Sequence, residues 1–174
     1  MASGSSFQIQ SVRTTADIEA VRLLFLAYQA ALGIDLCFQN FDEELATLPG
    51  RYAPPTGELL IARDSYGKPI GCVAVRAMNL EGVEEGVQQG IATICEMKRL
   101  YVAPEGRGLG LGKALVDATL RLASRAGYVE MRLDTLASMA QAIHLYKEAG
   151  FEAIPAYYET PLTDTLFFRR AITP

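Results

Sequence analysis

Four glycines at alternate positions, Gly106, Gly108, Gly110 and Gly112, separate a β-type run ending Leu100-Tyr101-Val102-Ala103-Pro104 from a helical stripe beginning at Leu111. Arg107, Leu109, Leu111 and Lys113 fill the intervening places. Glycine permits positive φ and close backbone approach, and the first N–H groups of a helix lack intrahelical acceptors, so such a turn converges donors on an anion. A phosphate or pyrophosphate is the expected guest. A tight strand-to-helix connection would account for one or two glycines, but not for four in alternation flanked by two cations. Two familiar phosphate loops fail on counting. The Walker spacing needs Gly at 107 and Ser or Thr at 114, where this chain has Arg107 and Ala114. The dinucleotide fingerprint needs Gly at 111 or 113, where it has Leu111 and Lys113. ATP and NAD are disfavoured.

Upstream of the turn, the run Ile91 to Val102 changes phase: Cys95 and Met97 fall on one side, then Leu100 and Val102 are one residue out of step. A β-bulge near Lys98-Arg99 restores all of them to one face, and bulges leave backbone groups unpaired. Glu96 precedes the bulge; without further context it is either a proton acceptor or an exposed strand carboxylate paired with Lys98 or Arg99. Downstream, Tyr146 shares an apolar helical stripe with Met139, Ala142 and Ile143, which also suits a core tyrosine. His144, the single histidine, lies off that stripe and reads as surface. With no second His and no Cys at ligand spacing, neither a metal site nor a Cys-His or Ser-His pair can be assembled, which disfavours a covalent enzyme intermediate. The segment Ala153 to Leu162 carries Pro155, Tyr157, Tyr158, Glu159 and Pro161. Its aromatics and carboxylate either enclose a cationic amine or serve packing alone.

The sequence resembles the GNAT superfamily of acyl-CoA-dependent N-acetyltransferases. That family's signature, Arg or Gln, two residues, Gly, one residue, Gly or Ala, is matched by Arg107-Gly108-Leu109-Gly110-Leu111-Gly112 directly after a strand. Its C-terminal motif, Leu-Tyr, three residues, Gly-Phe, stands as Leu145-Tyr146-Lys147-Glu148-Ala149-Gly150-Phe151. The resemblance covers Phe7 to Ile172. It implies one N-acetyltransferase domain over 7–172 after a short tail, 1–6, with acetyl-CoA as co-substrate and no metal. The implied cofactor residues are Leu100, Tyr101 and Val102 beside the pantetheine arm, then Arg107, Gly108, Leu109, Gly110, Leu111, Gly112 and Lys113 at the pyrophosphate. Glu96 matches the position that often supplies the general base, Tyr146 the tyrosine that protonates the departing thiolate, and a backbone N–H near Leu100 the donor to the thioester carbonyl. Tyr157 and Tyr158 are candidates for the acceptor. Many members carry Asn seven residues before the motif tyrosine, where this chain has Met139, so one hydrogen bond to the pantetheine arm is expected to be missing. The implied reaction is direct transfer of acetyl to a primary amine of a small molecule or peptide in a ternary complex. A non-catalytic acyl-CoA sensor using the same turn is the rival, and it needs neither Glu96 nor Tyr146.

These groups must be positioned by regular elements. Phe7 to Val12 alternates as a strand, and Thr14 with Asp17 forms a capping box opening a helix through Leu32. Asp42 to Leu48 suits a short helix, followed by a loop from Pro49 to Gly57. Glu58 to Arg63 and Ile70 to Ala77 read as a hairpin. A turn-like stretch, Asn79 to Gly90, leads into the long strand Ile91 to Val102, and Glu81, Glu84 and Glu85 in it are either a solvated face or an attractor for a basic substrate. Leu111, Leu115, Ala118 and Leu122 form the stripe of a helix stopped by Gly127. Then come a strand Val129 to Asp134, a helix opened by a Ser138/Gln141 capping box and closed by Gly150, and strands Phe151 to Ile154 and Thr165 to Ile172. The order argues for one α/β (α+β) domain: a mixed, mostly antiparallel sheet of six to seven strands with helices on both faces and, from the resemblance, a splayed central strand pair.

Composition bounds the partners. The chain has 174 residues, a hydrophobic fraction of 50%, and 16 Lys and Arg against 20 Asp and Glu, giving a net charge of −4. It is long enough to bury a core and lacks the basic excess that drives nucleic-acid binding. Apolar runs such as Leu23 to Ala27 stop far short of the roughly 20 residues of a bilayer span, and the N-terminus lacks a signal-peptide pattern. A cytoplasmic protein with acetyl-CoA and an amine as partners is expected, with a homodimer as an open arrangement. Cys37, Cys72 and Cys95 lack any paired spacing and read as reduced and mostly buried.

Overall fold

The structure is a computed structural model that describes residues 6–78 and 94–173. The expected turn over 79–90, its acidic residues Glu81, Glu84 and Glu85, and the first residues of the long strand, 91–93, lie outside the described residues.

Among the described residues seven strands form one sheet: β1 Phe7–Ser11, β2 Glu58–Asp64, β3 Pro69–Met78, β4 Ile94–Val102, β5 Glu130–Leu136, β6 Glu152–Ile154 and β7 Thr165–Ala171. Their spatial order is β1-β2-β3-β4-β5-β7-β6, antiparallel throughout except for the parallel β4/β5 pair. The last strand inserts between β5 and the short edge strand β6. Among the described residues four α-helices cover the sheet: α1 Thr15–Leu32, α2 Phe41–Thr47, α3 Leu111–Arg125 and α4 Ala140–Glu148.

Strand alternation sorts the core into two layers. Leu59, Ile61, Cys72 and Ala74 pack under α1 and α2 with Val21, Phe25 and Phe41. Leu60, Val73, Val75, Met131 and Leu133 face α3 and α4 with Leu115, Val116 and Tyr146. Helices therefore cover both faces. Helix α1 starts as anticipated: the Thr14 hydroxyl accepts from the Asp17 N–H at 3.1 Å, and the Asp17 carboxylate accepts from the Thr14 N–H at 3.3 Å.

Two expectations need correction. Ser138 makes no cap; Met139 occupies the N-cap of α4 without a side-chain bond, and its carbonyl accepts from the Ile143 N–H at 3.0 Å. The buried stripe of α3 is Leu111, Leu115, Val116, Thr119 and Ala123, while Ala118 and Leu122 only flank it. Thr119 is tolerated there because its hydroxyl donates back to the Val116 carbonyl at 2.7 Å, so no polar atom is stranded. The cysteines are mostly buried, as expected: Cys72 and Cys95 lie in the core and Cys37 is exposed.

Candidate active site

Two irregularities of β4 create the site. Cys72 pairs with Tyr101 and Ala74 with Lys98, so three steps along β4 oppose two along β3. The extra residue is a bulge at Arg99, whose φ is +58°. The bulge brings Cys95, Met97, Leu100 and Val102 to one core, as the phase shift predicts, and turns Glu96, Lys98 and Arg99 to the opposite side. On its other edge β4 pairs with β5 only at Ile94, Cys95 and Glu96. Beyond Glu96 the two strands separate, although β4 continues to Val102 and β5 to Leu136. The resulting cleft is lined by Met97, Lys98, Leu100, Asp134, Met139 and Tyr146 among others.

The glycine turn follows the end of β4, whose Met97 to Leu100 line this cleft. A 3₁₀ turn, Pro104–Gly106, leaves β4, and Gly108 and Gly110 both have φ of +74° with open space where a β-carbon would stand. Gly106 serves packing instead: a β-carbon there would come within 3.0 Å of the Ile70 carbonyl oxygen and of Leu111. Ala114 N–H is the first in α3 to find an acceptor, the Gly110 carbonyl at 3.1 Å. The N–H groups of Gly108 through Lys113 have no acceptor among the described residues, and Arg107 to Gly110 is exposed. Lys113 is tied to Asp117 at 2.6 Å. Of the other expected cofactor residues, Leu100 and Val102 pack toward this side, whereas the Tyr101 ring turns to the opposite core and meets Tyr28 edge-on at 6.3 Å.

Tyr146 is 5% exposed, wedged against Phe151 and Phe168. It is thus a core tyrosine and a lining residue of the cleft at once. Its hydroxyl has no hydrogen-bond partner among the described residues, and burial pushes the phenol well above its ordinary value of 10.0. His144 lies outside, on the exposed side of α4 near Glu148.

Across the sheet lies a cavity of about 340 Å³, which meets the cleft at Gln39, Lys98 and Arg99. Glu96, Tyr157, Tyr158 and Glu159 line it. Glu96 is not the exposed carboxylate considered above; it is 3% exposed. Its Oε2 accepts from Arg76 Nε at 2.8 Å and Nη2 at 2.7 Å, and its Oε1 from the Tyr157 hydroxyl at 2.9 Å. Lys98 stands farther off, at 3.9 Å, and is bound to Asp134 at 2.8 Å. Burial alone would raise the Asp134 carboxyl, but its neighbours, the Lys98 ammonium foremost and the Arg99 guanidinium with it, hold it below its ordinary value. Arg99 donates from Nε and Nη2 to the two Glu44 oxygens at 2.9 and 2.8 Å, and from Nη1 to Gln39 at 2.9 Å. It also lies 5.1 Å over the Phe41 ring. The Tyr157 ring also lies 5.5 Å from the Arg132 guanidinium, and both Tyr157 and Tyr158, the candidates for the acceptor, line this cavity.

Sequence reasoning missed Gln39, Glu44, Arg76 and Asp134. Arg76 left one trace, a single charge at the end of the apolar run Val73-Ala74-Val75. Among the described residues no group of His, Cys, Asp and Glu could hold a metal ion, and no helix is long and apolar enough to cross a membrane.

Residues 55–153 match the acetyltransferase (GNAT) domain model. An uncharacterised N-acetyltransferase of Schizosaccharomyces pombe is 39% identical over 165 residues, spanning 95% of this chain and 94% of its own length. Among solved structures, a GNAT-family acetyltransferase of Staphylococcus aureus superposes with a TM-score of 0.73 at 18% identity, over 96% of this chain and 99% of that one. An acetyltransferase of Salmonella typhimurium described with its cofactor acetyl-CoA gives 0.65 at 19%, over 97% and 95%. With a sequence match of this extent and the splayed, bulged β4 expected of the fold, the chain belongs to the GNAT family of N-acetyltransferases.

Proposed function

We propose that the protein transfers acetyl from acetyl-CoA to a primary amine of a small molecule or peptide, by direct attack within a ternary complex. The observation that carries this reading is the run of unpartnered N–H groups from Gly108 to Lys113, joined through β4 to a cleft in which the Tyr146 hydroxyl is equally unpartnered. Such donors suit a pyrophosphate, and the parting of β4 from β5 leaves backbone groups free to bind an amide-bearing arm. Met139 offers a thioether where an amide would hydrogen-bond that arm. When bound, acetyl-CoA supplies an acetyl group activated as a thioester and a thiol as leaving group.

The chain's own residues manage the protons. The Leu100 N–H, just after the bulge, donates to the carbonyl oxygen as negative charge grows on it. Glu96 receives the amine proton through Tyr157, whose hydroxyl passes its own proton to Oε1 as it accepts one from the substrate. The freed amine forms the new C–N bond as the C–S bond breaks. Tyr146 gives its phenolic proton to the sulfur, and burial keeps that proton in place until it is needed.

One observation favours a non-catalytic acyl-CoA sensor: both Glu96 oxygens already have protein partners, Arg76 and Tyr157, as a purely structural carboxylate would. Thiol release from acetyl-CoA over an amine panel separates the two readings. Turnover with at least one amine supports the enzyme; tight acetyl-CoA binding by calorimetry without thiol release supports the sensor.

A further inference from the structure

The charges around the acceptor-side cavity are unevenly spent. Its buried acidic neighbours all have cations in contact: Glu96 with Arg76, Glu44 with Arg99, and Asp134 with Lys98. None is free to neutralise a second ammonium. Several donors, by contrast, are not used. Arg76 spends Nε and Nη2 on Glu96, leaving Nη1 without a partner among the described residues. Arg51 forms no ion pair or hydrogen bond among them. Gln39 has its amide oxygen held by Arg99, which fixes the side chain with its NH₂ group left to donate. The Asn40 side chain is likewise unengaged.

These four residues, Gln39, Asn40, Arg51 and Arg76, line both this cavity and the one adjoining it, of about 350 Å³, so they mark the junction between the two. Two guanidinium forks and two amides make a donor-rich junction suited to a planar anion. Two carboxylates of these cavities have no ion pair among the described residues: Glu159 lines the first cavity, beside Tyr157 and Tyr158, and Glu43 lines the second. Free charges of opposite sign at two places in one site complement a zwitterion. They also oppose a purely cationic amine, whose extra charges would meet Arg51 and Arg76.

Building on the acetyl-transfer reading above, we infer that the acceptor is an amine that also carries an anionic group, held at the Gln39–Asn40–Arg51–Arg76 junction; an amino acid is the simplest member of that class. Polyamines and simple alkylamines are the poor substrates. Charge-assisted hydrogen bonds are about twice as strong as neutral ones, which sets an expected selectivity of roughly tenfold or more.

The test compares matched pairs that differ only in the anion: tyrosine against tyramine, lysine against cadaverine, and 3-aminopropylphosphonate against propylamine. Thiol release should give a kcat/KM higher by about tenfold or more for the anionic member of each pair. Arg51→Ala should bring the ratio towards one, and Arg51→Lys should retain part of it. A ratio at or below one in the unaltered protein overturns the inference. A preference for the phosphonate over the carboxylates keeps the anion site and reassigns its anion. Calorimetry of N-acetyltyrosine against N-acetyltyramine, with the protein saturated with CoA, reads the same site without turnover. Selective binding of N-acetyltyrosine with no thiol release would leave the anion site standing and remove the acetyl-transfer reading; turnover without selectivity would do the reverse.

Discussion

The two sides of β4 are built from different materials. On the cofactor side, the turn from Arg107 to Lys113 offers main-chain N–H groups, and its one paired cation, Lys113, is already held by Asp117. On the acceptor side, the cavity is made of side chains from the segments flanking α2, from β3 and β4 and from the segment after β6, held by ion pairs that reach Glu44 of α2 and Asp134 of β5. Main-chain donors are indifferent to which side chain carries them, so the first side depends on backbone conformation. The second depends on who pairs with whom. The bulge at Arg99 joins them, since it opens the backbone towards the cleft and turns two consecutive cations into the acceptor network.

The largest effect should come from the group that belongs to the cleft yet does chemistry with its side chain. Tyr146→Phe keeps the ring packing against Phe151 and Phe168 and removes only the proton. Loss of a positioned acid costs about 10²- to 10⁴-fold in rate, so kcat for thiol release should fall by that order with little change in acetyl-CoA affinity. An unchanged kcat would remove Tyr146 from the mechanism.

Next in size is the keystone of the acceptor side. Arg99 is 4% exposed, and removing one partner of a buried ion pair costs about 3–5 kcal/mol because the other charge is stranded. Arg99→Ala should lower the unfolding free energy by that order in urea titrations. Glu44→Ala in the same background should then cost far less than it does alone. Additive losses would mean that Arg99 and Glu44 are not coupled and that the network is not the scaffold described above.

A smaller effect tests the backbone side. Gly110 has φ of +74° with open space around its α-carbon, so a substitution there meets strain and no clash. A β-branched residue in that region costs about 1–2 kcal/mol, so Gly110→Val should weaken acetyl-CoA binding by roughly tenfold. Lys113→Ala should weaken it less. Equal losses would make the turn a charge site and erase the contrast.

The same contrast explains what could be read from the sequence. The cofactor turn is local: its glycines, its helix start and the phase shift at Lys98-Arg99 lie within a short stretch, and glycine marks unusual backbone in the sequence itself. The capping box at Thr14 was equally legible, since both partners lie within one helical turn. The Ser138 box matched the spacing but not the structure, because spacing does not report the backbone angles of the cap residue. The insertion of β7 between β5 and β6, and the pairing of Glu96 with Arg76 and of Arg99 with Glu44, join residues far apart in the chain. No periodicity carries that information.

The least effect should appear as a pH dependence on the acceptor side. The Asp134 carboxyl is held below its ordinary value of 3.8 by Lys98, so it binds its proton less readily in the folded chain than in the unfolded one. Its contribution to stability is therefore present above pH 3.8 and is lost as the pH falls through the lowered folded value. Asp134→Asn removes that titration while leaving the Lys98 ammonium only the more distant Glu96, at 3.9 Å. The stability gap between the unaltered protein and the variant should be constant at neutral pH and narrow once the pH drops below 3.8, as read from urea midpoints at a series of acid pH values. A gap that stays constant into that range would mean that Asp134 does not titrate differently on folding. The Lys98–Asp134 contact would then hold geometry without contributing charge stabilisation, and the acceptor side would depend on shape much as the glycine turn does.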